Sequence, residues 1–167
     1  MGSDLRPGTR WRSRTYKLSA GEIKRFGRAY DPQPFHVDAR AAKGTFFRGL
    51  AASGWHTAAI TSKLTVKGRA FFHGGAVGLA IASLKWLKPV RPGDVLRVES
   101  ELLSMRPSRS RSGRAVARIR HDTINARGQI VQTMVVVALA NAGPVSRSSP
   151  SPGKKTRPAS KTSRSRK

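Results

Sequence analysis

The chain holds 167 residues, with 33 Lys and Arg against 8 Asp and Glu, a formal charge of +25, and no cysteine. That length suits one domain with some to spare, and the lack of cysteine excludes a disulfide scaffold and all thiolate chemistry. No run reaches the roughly 18 apolar residues of a membrane span, and Met1 to Arg14 is polar and Arg-rich, unlike a secretory signal, so the chain reads as cytoplasmic.

The charge is spread unevenly. From Gly143 to Lys167 there are eight basic and no acidic residues, with seven Ser and four Pro. Such a segment buries too little apolar surface to offset its ordering entropy and is expected to be disordered. The other 142 residues still carry +17. The expected organisation is a polar N-terminal arm over 1–14, a domain over 15–142 and a basic Ser/Pro-rich tail over 143–167. Such a chain attracts polyanions of several classes: nucleic acid, an anionic membrane surface or a small molecule such as coenzyme A.

Thr15 to Leu18 suits a short strand. Ser19 and Glu22 have capping-box spacing, predicting a helix with Ile23 and Phe26 on one face. It must stop near Tyr30, because Pro32 disfavours helix at Asp31. A proline-held loop over Asp31 to Asp38 and a short helical turn near Asp38 to Lys43 follow. Gly49 to Ser62 carries no formal charge and is dominated by small residues, which predicts a buried central helix that other backbone approaches closely.

After about Phe71 the chain reads as strands. Ala76 to Trp86 is apolar-rich, and Arg91-Pro92-Gly93-Asp94 is a turn. Leu96, Val98, Ser100 and Leu102 alternate with Val95, Arg97, Glu99 and Glu101, a period of two. Ala115, Ala117 and Ile119 alternate with Val116, Arg118 and Arg120, and Asn125 to Gly128 closes a hairpin into Gln129 to Leu139. One buried helix followed by four antiparallel strands predicts an α+β domain.

Two of the eight acidic residues bracket a histidine in Tyr30-Asp31-Pro32-Gln33-Pro34-Phe35-His36-Val37-Asp38. Pro32 and Pro34 restrict the backbone between Asp31 and His36. A carboxylate and an imidazole held together can divide the activation of a water and the delivery of a proton. The same spacing also suits a loop in which Asp31 and Asp38 cap turns and His36 simply packs.

This stretch resembles the D-x-x-P-x-H-x-D hydratase signature of the MaoC-like dehydratase family, the (R)-specific enoyl-CoA hydratases of the hotdog fold. The resemblance continues through Phe47-Arg48-Gly49-Leu50-Ala51-Ala52-Ser53-Gly54-Trp55-His56-Thr57, similar to the start of that family's central helix. It extends to Trp86-Leu87-Lys88-Pro89-Val90-Arg91-Pro92-Gly93-Asp94, similar to its F/W-x-x-P-V-x-x-G-D strand and turn. Gln33-Pro34 and Arg48-Gly49 stand where many members have Asn-Pro and His-Gly.

The resemblance implies a long helix wrapped by an antiparallel sheet, and syn hydration of a 2-enoyl-CoA to the (R)-3-hydroxyacyl-CoA or the reverse dehydration. It implies Asp31 and His36 as the catalytic pair, and Gly49 at the helix start with its N–H toward the thioester oxygen. Leu50, Ser53 and Thr57 would be further substrate-binding residues. It also implies no cofactor beyond the coenzyme A of the substrate, and a homodimer or higher oligomer.

A metal at His36 and Asp38 would need a third ligand, and none shows ligand spacing. His56 is expected to be a packed, hydrogen-bonded core residue, and Trp55 and Trp86 core or interface. Arg106 to Arg114 suits a solvated turn, or contacts to coenzyme A phosphates. The tail suits a nonspecific anionic partner. Readings of other classes are a hotdog thioesterase, a noncatalytic acyl-CoA-binding protein, and a basic nucleic-acid-binding protein.

Overall fold

The computed structural model describes residues 5–67 and 75–141. The tail from Gly143 onward and Phe71 to Gly74 therefore lie outside the described residues.

Two short strands, β1 (Arg10–Arg12) and β2 (Tyr16–Lys17), precede helix α1 (Ala20–Tyr30). Ser19 Oγ accepts from Glu22 N at 3.2 Å, and Glu22 Oε2 accepts from Ser19 N at 2.9 Å, closing the expected capping box. The Ser19 hydroxyl and the Tyr16 phenol also donate to Glu22, and these bonds push its carboxyl down to about 2. The proline-held loop contains one unexpected turn of helix, α2 (Pro34–Val37). Pro34 occupies its first turn, where a missing N–H is harmless and the fixed φ already suits a helix. A 3₁₀ turn follows at Ala41–Gly44.

Helix α1 meets α2 at Gly27. A Cβ there would stand 2.8 Å from the His36 carbonyl oxygen and 3.0 Å from His36 Cβ, so glycine is what lets the two helices touch.

The central helix α3 spans Gly54–Lys67, five residues later than the uncharged run begins. Gly49 to Ser53 instead forms a non-helical strap, with a bend at Gly49. At its far end the helix runs on through Lys63 and Lys67, which face solvent while Leu64 enters the core. Strands β3 (Ala76–Trp86), β4 (Val95–Pro107), β5 (Arg114–Ile124) and β6 (Ile130–Asn141) complete the described elements. The antiparallel order is β1-β4-β5-β6-β3, with β2 added on β4.

Trp11 pairs opposite Ser100, so the second part of the expected N-terminal arm supplies a strand of the sheet. The predicted alternation holds: Leu96, Val98, Ser100 and Leu102 of β4 and Ala115, Ala117 and Ile119 of β5 are buried.

Helix α3 packs on β4 and β6 and touches α1. Ile60 and Leu64 join Leu18, Ile23, Val90, Leu96, Val98 and Val131 in one apolar core. A chain of hydrogen bonds threads it. Thr123 and Thr61 hydroxyls lie 2.6 Å apart, Gln132 Nε2 donates to Thr61 Oγ1 at 2.9 Å, and Trp86 Nε1 donates to Gln132 Oε1 at 3.1 Å and to the Gly54 carbonyl at 3.0 Å. A second buried pair, Ser100 Oγ and His121 Nδ1 at 2.8 Å, sits against the edge of Trp11. Burial pushes His121 down to about 4.

His56 is packed as expected, its ring stacked on Phe26 at 4.5 Å, but its buried Nδ1 has no hydrogen-bond partner. Burial lowers its pKa. Among the described residues no helix is long and apolar enough to cross a membrane.

Candidate active site

Asp31 ends α1, its N–H bonded to the Gly27 carbonyl at 2.8 Å. His36 sits on α2, only 4% exposed. The two meet with His36 Nε2 3.3 Å from Asp31 Oδ2. Two further donors hold the carboxylate: Gln33 Nε2 reaches Oδ1 at 2.9 Å and Ser53 Oγ reaches Oδ2 at 2.7 Å. Burial acts to raise the Asp31 pKa, but the bonds from Gln33 and Ser53, aided by His36, outweigh it and hold the carboxyl below its ordinary value. The other imidazole nitrogen, Nδ1, lies 2.7 Å from the Ala51 carbonyl oxygen. A carbonyl only accepts, so Nδ1 carries a proton and Nε2 is the nitrogen presented to Asp31.

The pair opens onto a cavity of about 520 Å³. Its walls are largely apolar and aromatic: Phe35, Phe46, Phe47, Trp55, Trp86, Leu87, Pro89, Val90 and Val131, with Gln33, Thr57 and Lys88 among the polar groups. Phe35 packs edge-on against His36 at 4.5 Å and contacts Phe47 at 4.9 Å. An apolar cleft with a few convergent polar groups is the usual form of a small-molecule site.

The expected residues separate into groups. Asp31 and His36 come together as anticipated, and Thr57 lines the cavity. Ser53 is buried and donates its hydroxyl to Asp31, so it supports the carboxylate from outside the cavity lining. Gly49 is not at the helix start; it lies five residues before α3, at φ +149°, beyond the cavity lining. Leu50 belongs to the apolar core. Both have their carbonyls turned to the Arg91 guanidinium, at 2.7 and 3.2 Å.

The residue that places the helix start at the cavity is Gly54. Its lack of a side chain is required, since a Cβ would stand 2.4 Å from the Trp86 ring. Asp38 caps the 3₁₀ turn, accepting from Arg40 N at 2.7 Å and Ala41 N at 3.1 Å. Gln33, the Ala51 carbonyl and Gly54 went unassigned in the sequence. For Gly54 a signal existed in the Ser53-Gly54 pair, a hydroxyl N-cap residue followed by glycine.

A hotdog unit, with a carboxylate and a histidine joined at the mouth of an aromatic cleft, is the class of protein defined here. The chain belongs to the MaoC-like family: residues 5–125 match the family described as "MaoC like domain". It is similar to the crystal structure of a MaoC-like dehydratase from Rhodospirillum rubrum, with 43% identity and a TM-score of 0.79, over 85% of this chain and 97% of the other. It also resembles the R-hydratase PhaJ1 from Pseudomonas aeruginosa, with 25% identity and a TM-score of 0.67, over 83% and 84% of the two chains. The uncharacterized protein YdeM of Bacillus subtilis (strain 168) is 33% identical over 106 residues, 64% of this chain and 75% of that protein.

Proposed function

We propose that this chain is an (R)-specific enoyl-CoA hydratase, or 3-hydroxyacyl-CoA dehydratase in the reverse direction. The observation that carries this reading is the Asp31–His36 pair, 3.3 Å apart on one wall of an aromatic cavity that also receives the start of α3. Asp31, held ionised by Gln33 and Ser53, takes a proton from a water as its oxygen bonds to C3 of the enoyl group. That proton passes from Asp31 to His36 Nε2, whose lone pair is free while Nδ1 holds the ring proton, and from Nε2 to C2 as the C2=C3 double bond becomes single. Both groups act from the same wall, which makes the addition syn. Between the two events negative charge builds on the thioester oxygen. The Gly54 N–H at the positive end of α3 is the donor suited to it, in place of Gly49. No cofactor enters this scheme beyond the coenzyme A of the substrate.

The same reading includes a second copy of the chain. Edge strand β3 exposes Val77, Leu79 and Ile81 to more than half their area, and the outer stripe of α3 exposes Trp55, Ala59, Ser62 and Val66. Between them, in a chain of charge +25, the only formal charge on β3 is Lys85. An uncovered apolar edge strand needs a partner strand or protection from one.

The test is loss of conjugated-enoyl absorbance from a panel of trans-2-enoyl-CoAs, wild type beside Asp31→Asn and His36→Gln. Removing either member of a general acid–base pair should lower the rate by about 10²–10⁴-fold. Release of free coenzyme A without hydration would instead indicate a thioesterase. Binding without turnover would indicate a noncatalytic acyl-CoA-binding protein.

A further inference from the structure

Arg91 lies on the turn after β3, outside the cavity lining, yet one guanidinium holds three main-chain carbonyls more than forty residues upstream. Its Nη1 donates to the Gly49 oxygen at 2.7 Å and the Leu50 oxygen at 3.2 Å, and its Nη2 donates to the Phe47 oxygen. The segment gripped this way includes Arg48, the one non-glycine residue with positive φ (52°) among the described residues. A left-handed conformation at a residue with a Cβ persists only where its surroundings over-determine it. Three charge-assisted bonds from one rigid fork supply that constraint, and lysine has no equivalent geometry.

The grip continues directly into the catalytic pair. Beyond Leu50 the strap is fixed on both sides, by Ala51 N to the Phe35 carbonyl at 3.0 Å and Ala52 N to the Val90 carbonyl at 2.9 Å. Two further polar groups of the same strap reach the pair, the Ala51 carbonyl on His36 Nδ1 and the Ser53 hydroxyl on Asp31. Arg91 and Val90 therefore anchor to the β3–β4 connection the same strap that sets the tautomer of the histidine and a donor of the carboxylate.

We propose that Arg91 is a positioning residue for the Asp31–His36 pair, acting through the Phe47–Ser53 strap and not by touching substrate. This rests on the hydratase reading only for its consequence in turnover; its consequence for His36 is independent of the reaction.

Two measurements on the full chain separate the two. The first is the two-bond ¹⁵N–¹H correlation spectrum of the histidine rings, with His36 assigned by its loss in His36→Gln. Wild type should show His36 protonated at Nδ1, and Arg91→Gln should move it toward mixed tautomers. The second is enoyl-CoA hydration, in which Arg91→Gln should lower kcat by about 100-fold, as misplacement of reacting groups does, with KM changing far less. Arg91→Lys, able to hold one carbonyl, should fall between. Should Arg91→Gln fail to fold by near-UV circular dichroism, Arg91→Lys decides in its place. Unchanged His36 resonances in the folded variant would overturn the proposal, as would a loss carried entirely by KM. Absence of hydration in wild type would overturn the hydratase reading instead, and the ring spectrum would still decide Arg91.

Discussion

Ser53 Oγ donates to Asp31 Oδ2 at 2.7 Å, the same oxygen that faces His36 Nε2 at 3.3 Å. One carboxylate oxygen is thus shared between a donor that holds it ionised and the imidazole it works with. Ser53→Ala removes a donor that lowers the Asp31 pKa, so that pKa rises. In the proposed scheme Asp31 is the base, so the acidic limb of the kcat/KM profile against pH should move to higher pH, with the alkaline limb unmoved. A limb that stays in place would mean the hydroxyl does not reach the working carboxylate.

Gly27→Ala should disturb the site from behind. The added Cβ meets main chain at His36 and Val37 Cγ1 at 3.1 Å, atoms with little freedom to yield. Overpacking of this kind costs about 1–3 kcal/mol, to be read from urea denaturation, and hydration should fall with it. Gly44→Ala, with nothing within 4 Å, should leave both unchanged.

Acid should weaken the fold in two stages. An unfolded histidine takes up a proton near about 6.5, while folded His121 does so only at about 4. Between these values the unfolded state binds more protons, so stability falls as pH drops through that window. Glu22 acts lower: its contribution is present above about 4.3 and is lost as pH falls toward about 2. Denaturation midpoints across this range should lose part of their upper slope in His121→Gln, where buried His56 also contributes, and part of their lower slope in Glu22→Gln. Equal slopes in both variants and wild type would contradict the assignment.

Trp86→Phe keeps an aromatic wall but removes the Nε1 donor to Gly54 and to Gln132, whose side chain is fully buried. Leaving a buried amide oxygen without its donor costs about 1–3 kcal/mol, measurable by chemical denaturation. A loss well below that would mean Gln132 finds another donor.

Ile81→Lys places a cation on the exposed β3 edge. Sedimentation should show the wild type as a dimer or larger and this variant shifted toward monomer, with hydration reduced if the second copy completes the site. A monomeric wild type with full turnover would refute the β3 interface.

Much of the fold was legible because it depends on local patterning. The capping box placed α1, and the period-two alternation of Leu96 to Leu102 and Ala115 to Ile119 identified the buried face of β4 and β5. The register of α3 was not legible from charge, since a buried non-helical strap excludes charge as strongly as a buried helix does. The helix end was hidden for the opposite reason: Lys63 and Lys67 sit on its solvent face. The contact between Asp31 and His36 lay within one short motif and was readable. Arg91 was not, because its partners are main-chain oxygens far upstream, which leave no trace in residue identity. The bond from Ser53 to Asp31 was not legible either, since the distance between two residues so far apart in the chain is set by the fold.

The bond from His36 to the Ala51 carbonyl has a genetic corollary. The acceptor is main chain, so any residue small enough to fit at position 51 supplies it unchanged. A side-chain scan there would report a silent site at the atom that decides which imidazole nitrogen carries the proton. The information for that choice is written in whatever steers the path of the strap. Substitutions that alter the chemistry of this histidine should therefore cluster at residues that never approach its ring.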